Sequence, residues 1–139
     1  MKKDYPRTHL SSDKYETDSW IQSCFPFTHW MDPCPIDWQE DEGEYPDGLE
    51  LDWQHMCHMT GDIGVFCNPP YSNPLPWVKK AILEYESGCT VVMLLKHDSS
   101  TEWYRLLHEA GAKMLMVNRR LKYGTNTGAA FPSLLVVLE

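Results

Sequence analysis

Ile63-Gly64-Val65-Phe66-Cys67-Asn68-Pro69-Pro70-Tyr71-Ser72, continued by Asn73-Pro74, decides how this chain is read. The apolar run over 63–67 reads as a buried strand, and it passes straight into a polar residue, two prolines and an aromatic ring. Each proline sets its own φ, removes a backbone donor and keeps the residue before it out of the helical region. The strand therefore ends in a stiff, extended tetrapeptide. In open α/β sheets, ligands sit at the carboxyl ends of strands. Asn68 offers a side-chain carbonyl and an amide there, and the peptide carbonyls beside it lack a strand partner. Tyr71 adds a flat aromatic surface. Such a rigid set of acceptors suits an amino group; the plainer alternative is a proline-rich turn that only ends a strand.

Working outward, Asn73-Pro74 has the form of a cap and a first-turn proline. Trp77, Val78, Ala81, Ile82 and Tyr85 recur at helical spacing up to Gly88, with Lys79 and Lys80 on the opposite face. Cys89 to Leu95 is a nearly continuous apolar run, expected of a strand buried on both faces. Ser99 and Glu102 form a capping box for a helix that ends at Gly111 and turns Trp103, Leu106, Leu107 and Ala110 to the core. Lys113 to Val117 is a further strand. Leu134 to Leu138 is the last, expected to run antiparallel to a partner near Arg120 to Tyr123 across the loop 125–129. On the other side, Thr17 or Asp18 caps a short helix carrying Trp20, Ile21 and Phe25, which Pro26 ends. Thr28 to Met31 reads as a short strand delivering Asp32 at its carboxyl end. Residues 36–50 lack periodicity and read as a long acidic loop, and Leu49 to Trp53 as a short strand or a turn of helix. This order predicts an α/β fold with a mainly parallel sheet and a terminal antiparallel strand.

The chain has 139 residues, 42% of them hydrophobic, and six tryptophans, which suits one packed domain. Residues 1–12 are expected to form a flexible N-terminal segment and 13–139 a single catalytic domain. No signal peptide or membrane span is read from the sequence. Five cysteines, an odd number without regular spacing, read as free thiols in a reducing cytoplasm. His55, Cys57 and His58 invite comparison with a zinc site, but the spacing is wrong and no metal is expected. The net charge of −8 argues against a nucleic-acid partner until it is mapped. Eight of the 20 acids lie between Asp37 and Asp52, leaving twelve acids against twelve bases elsewhere. Lys79, Lys80, Lys113, Arg119, Arg120 and Lys122 then suit either a local phosphate-binding face or ordinary solvated surface.

Asn68-Pro69-Pro70-Tyr71 resembles the (D/N/S)PP(Y/F) signature of amino-group methyltransferases that use S-adenosylmethionine. The wider frame resembles the phage-type DNA N-6-adenine methyltransferases. The matching segments are Thr17-Asp18-Ser19-Trp20, Met31-Asp32-Pro33-Cys34, Asp47-Gly48-Leu49, Asp52-Trp53, Val65 to Ser72, Trp77 to Ala81, Val91 to Leu95, Arg119-Arg120-Leu121 and Phe131-Pro132-Ser133. The chain departs from many methyltransferases where Asp32-Pro33-Cys34-Pro35 replaces a glycine-rich turn. It also has Pro35 where the phage family has an alanine-like position.

The resemblance implies a Rossmann-like methyltransferase acting in the cytoplasm of a bacterial host on adenine flipped from DNA. The chain length leaves little for a separate target-recognition domain, and a small enzyme facing a long duplex suits a homodimer. Asn68, Pro69, Pro70 and Tyr71 would be catalytic. Thr17, Asp32, Cys34, Asp52 and Asn68 would meet the cofactor, and Tyr71, Ser72, Phe131, Arg119 and Arg120 the substrate. The same tetrapeptide also serves RNA bases and protein glutamines, and a non-catalytic module that kept the fold is a further alternative.

Overall fold

The computed structural model describes residues 21–27, 29–34, 47–58, 63–117 and 132–139. Among these residues the framework is one five-stranded mixed sheet with three α-helices. The strands are β1 (His29–Met31), β2 (Ile63–Cys67), β3 (Val91–Lys96), β4 (Lys113–Met116) and β5 (Ser133–Leu138). The helices are α1 (Trp53–His58), α2 (Leu75–Glu86) and α3 (Glu102–Glu109). Spatially the strands lie in the order β1-β2-β3-β5-β4.

β1, β2 and β3 pair in parallel, with Met31 opposite Val65 and Cys67 opposite Met93. A parallel return needs a long crossover, which α1 and α2 occupy here. β5 inserts between β3 and β4 and is antiparallel to both. The expected partner for β5, near Arg120 to Tyr123, lies outside the described residues, and the partners seen are β3 and β4. A strand has only two edges, and Val91–Lys96 and Lys113–Met116 fill them. Among the described strands half of the pairings are antiparallel, although β5 alone points against the other four.

Side-chain alternation explains the two faces. Val65 and Cys67, Val91, Met93 and Leu95, and Leu134, Val136 and Leu138 turn toward the helices, where they meet Trp53, Trp77, Val78, Ala81, Trp103 and Leu107. Phe66, Val92 and Leu94 turn the other way and pack with Ile21, Phe25, Trp30 and Tyr71. On that face Trp30 makes edge-on contacts with Phe25, Phe27 and Phe66 at centroid distances of 5.8, 5.4 and 5.8 Å. Gly64 lies opposite Trp30, and a Cβ there would come within 2.7 Å of Phe27 and 2.8 Å of Trp30. Its missing side chain is what lets the aromatic group close over the sheet.

Several local expectations change. The helix around Ile21 is a 3-10 turn over Gln22–Cys24, and its expected caps, Thr17 and Asp18, lie outside the described residues. Leu49 to Trp53 is a turn leading into α1, not a strand. α2 begins on Pro74, with no side-chain cap from Asn73. The cap of α3 is Thr101, whose hydroxyl accepts from the Tyr104 N–H at 3.3 Å, so Ser99 stands too early to serve.

Candidate active site

The carboxyl ends of β1, β2 and β3 share one rim of the sheet because these strands run in parallel. Asp32 follows β1, Asn68 follows β2, and His97 and Asp98 follow β3. Thus two residues separated by 36 positions in sequence end neighbouring strands. That juxtaposition comes from the parallel register alone.

At the end of β2 the chain leaves the sheet through half-buried Asn68 and buried Pro69. Pro70 to Asn73 then forms a turn, closed by the Asn73 N–H donating to the Pro70 carbonyl at 3.2 Å. Pro74 follows as the helix cap, and the Val78 N–H donates to its carbonyl at 3.0 Å. Pro69 before the turn, Pro70 at its first position and Pro74 after it leave little conformational freedom. Ser72 is exposed at the tip of this turn. The Tyr71 hydroxyl donates to Asn68 Oδ1 at 2.8 Å, while the Tyr71 ring packs partly against the Ile21, Phe66, Val92 and Leu94 cluster. Sequence reasoning missed this bond, because a tyrosine three residues on reaches back only when the intervening prolines turn the chain.

Asp32 is exposed, and its Oδ1 accepts from the Cys34 N–H at 2.9 Å. The turn thus substitutes a side-chain acceptor for a glycine-rich bend. Cys34 directs its side chain into the helix-side core. Asp52 is exposed and caps α1, its Oδ1 accepting from the His55 N–H at 3.0 Å.

What holds the Asp47–Asp52 segment beside Asp32 is a close backbone approach. A Cβ on Gly48 would lie 2.0 Å from the Pro33 carbonyl oxygen, so only glycine fits without displacement. The fully buried Trp53 indole N–H donates to the Gly48 carbonyl at 2.8 Å and clamps the segment from below. The charge network behind it was also missed. Lys80 bonds Glu84 Oε1 and lies 5.7 Å from the centre of the Trp53 ring, while Glu84 Oε2 accepts from the Gln54 N–H at 3.1 Å. Lys80 therefore belongs to an internal clamp, and Lys79 alone of the pair is exposed.

On the β3 side, Asp98 Oδ1 accepts from both the Ser100 hydroxyl and the Ser100 N–H, which holds its carboxyl below the usual range. Lys96, His97 and Asp98 are rim residues that motif reading passed over. Their signal was positional, at the end of an apolar strand. Cys57 lies beside Cys89. Its sulfur lies 3.9 Å from that of Cys89, and burial pushes the Cys57 thiol up and the Cys89 thiol up to about 12. Among the described residues, no three potential ligands converge on a metal position, and no helix is long and apolar enough to cross a membrane. Thr17, Arg119, Arg120 and Phe131 lie outside the described residues.

Comparison with known proteins bears directly on this rim. A DNA N-6-adenine-methyltransferase from Haemophilus phage HP1 is 38% identical over 100 residues, covering 66% of this chain and 53% of the phage protein. A DNA N-6-adenine-methyltransferase from Escherichia phage T1 is 39% identical over 57 residues, covering 41% of this chain and 24% of that protein. The chain thus spans about half, or less, of the length of these relatives. The model of the DNA N-6-adenine-methyltransferase (Dam) family matches residues 42–131, from the acidic segment through α1, the Asn68–Tyr71 turn and β4. With that match spanning most of its length, this chain belongs to the DNA N-6-adenine-methyltransferase (Dam) family.

Proposed function

We propose that this chain is a Rossmann-like methyltransferase domain that moves a methyl group from S-adenosylmethionine to the N6 amino group of adenine in DNA. The observation that carries the reading is the position of Asn68-Pro69-Pro70-Tyr71 at the carboxyl end of β2, beside the exposed Asp32 that ends β1. Family membership supports the reaction and its donor class.

The residues suit the donor. Asp32 offers an exposed carboxylate, held in a tight turn, which matches ribose hydroxyls or a charged amino group. Asp52 and the Gly48 turn form the adjoining wall, and Thr17 and the backbone of Cys34, whose side chain is in the core, complete the proposed set of contacts. When bound, the cofactor supplies a methyl group already activated on a sulfonium. The protein is then left with positioning and electrostatics rather than strong base chemistry.

Adenine's amino nitrogen is a weak nucleophile because its lone pair is delocalised into the ring. Asn68 Oδ1 and the Pro69 carbonyl accept its two hydrogens and draw the nitrogen toward tetrahedral geometry. Its lone pair then points out of the ring plane, toward the methyl group. Pro69 and Pro70 keep these acceptors from relaxing away. Tyr71 stacks on the target base, which must leave the duplex to reach the rim. Phe131 supplies a second stacking surface, Ser72 orders the turn, and Arg119 and Arg120 contact phosphate. The overall charge of −8 keeps the DNA affinity modest, and the cation–phosphate contacts make it fall as salt rises.

The test is transfer of labelled methyl from S-adenosylmethionine to unmethylated DNA, wild type beside Asn68→Ala, with digestion to nucleosides. Labelled N6-methyladenine is expected from the wild type. A loss of about 10²- to 10³-fold in rate is expected from the variant, as for other preorganised transition-state contacts. Transfer to RNA or to a glutamine side chain instead of DNA would overturn the substrate assignment. Cofactor binding without transfer to any substrate would make the chain a non-catalytic module.

A further inference from the structure

We infer that the Tyr71 hydroxyl is a positioning group for the Asn68 acceptor, so that the ring meeting the base and the carbonyl meeting its amino group are set as one unit. The inference rests on the reading of Asn68 given above. Pro69 fixes the backbone of Asn68 in the extended region, but it does not fix the carboxamide, whose terminal torsion is broad. Rotation about that torsion exchanges an acceptor for a donor. A donor aimed at an adenine amino group would repel the substrate.

The Tyr71 hydroxyl restrains this rotation through its 2.8 Å bond to Oδ1. It is itself well held. The ring packs against Ile21, Phe66, Val92 and Leu94, and its backbone sits in the turn closed between Pro70 and Asn73. A carbonyl oxygen accepts two hydrogen bonds, so the tyrosine and an amino hydrogen can share Oδ1. The motif thus links recognition of the base plane to the aim of the acceptor. Tyr71 contributes two separable functions: ring area for stacking and a hydroxyl for orientation.

Tyr71→Phe separates them. The ring, and with it the affinity for DNA, is retained to within about twofold, while the single-turnover methylation rate falls about 3- to 10-fold, the worth of one orienting hydrogen bond. Tyr71→Ala removes both, and weakens DNA binding as well by the value of a lost stacking surface, about 5-fold or more. Thermal unfolding of each variant shows whether it is folded. A second measurement does not depend on activity: nitrogen-15 relaxation of the Asn68 carboxamide is expected to show an ordered group in the wild type and a more mobile one in Tyr71→Phe. A Tyr71→Phe rate equal to wild type, or a carboxamide equally ordered in both, overturns the inference. If the wild type transfers nothing to DNA, the proposed function fails, and the relaxation comparison still decides the role of the hydroxyl.

Discussion

Gly48→Ala adds one methyl group at the point where the Asp47–Asp52 segment touches the turn after β1. The new Cβ would meet the Pro33 carbonyl oxygen at 2.0 Å and its carbon at 2.8 Å. Both are backbone atoms, so no rotamer change relieves the clash. Either the Asp32–Cys34 turn moves or the Gly48 segment lifts. Lifting it stretches the 2.8 Å bond from the buried Trp53 indole to the Gly48 carbonyl. Overpacking of this kind costs about 1–3 kcal/mol. Weakening one buried hydrogen bond adds roughly 1 kcal/mol. The expected loss is therefore about 2–4 kcal/mol, or roughly 6–20 °C in Tm for a domain of this size. The assay is thermal and urea unfolding of Gly48→Ala beside Gly111→Ala. At Gly111 an added Cβ meets nothing within 4 Å, but φ is +80°, so only backbone strain is introduced. That control is expected to lose about 1 kcal/mol. If Gly48→Ala unfolds within a degree of wild type, or is no worse than Gly111→Ala, the close approach described here is wrong. The account of how Asp32 and Asp52 are held together would fall with it.

Two further outcomes follow from particular contacts. Thr101→Ala is expected to cost about 1 kcal/mol by removing the cap of α3, while Ser99→Ala should cost less than half of that; equal losses in urea denaturation would restore Ser99 as the cap. The raised pKa values of Cys57 and Cys89 give a pH dependence with a definite sign. Because the folded values lie above those of the unfolded chain, stability should be unaffected below about pH 9 and then decline as pH rises toward 12, the value for Cys89. Alkylation of Cys89 in the folded protein should be correspondingly slow at neutral pH. Rapid labelling there, followed by mass spectrometry of the peptide, would show that the thiol is neither buried nor raised.

Much of the framework was legible in the sequence because it depends on local chemistry. The apolar run over 63–67 marked a buried strand, that over 89–95 a strand buried on both faces, and the helical spacing of Trp77, Val78 and Ala81 marked α2. The two prolines after Asn68 announced a stiff strand end whatever lay around it. Side-chain periodicity and proline geometry act over a few residues, so they survive without tertiary information. What only the folded chain decided were contacts between distant segments. The insertion of β5 between β3 and β4 depends on which edges are open once the parallel strands have formed. Lys80 looked like part of a basic face, and became internal because Glu84 and Trp53 stand beside it. Gly48 looked like one more loop glycine until the Pro33 carbonyl arrived against it. Asn68 and Tyr71 could be named as a motif from their spacing, but the bond between them exists because the proline turn folds the hydroxyl back onto the carbonyl. Periodicity and backbone restriction act along the chain and can be read there, whereas register, close approach and the partner of a charge are properties of segments meeting in space.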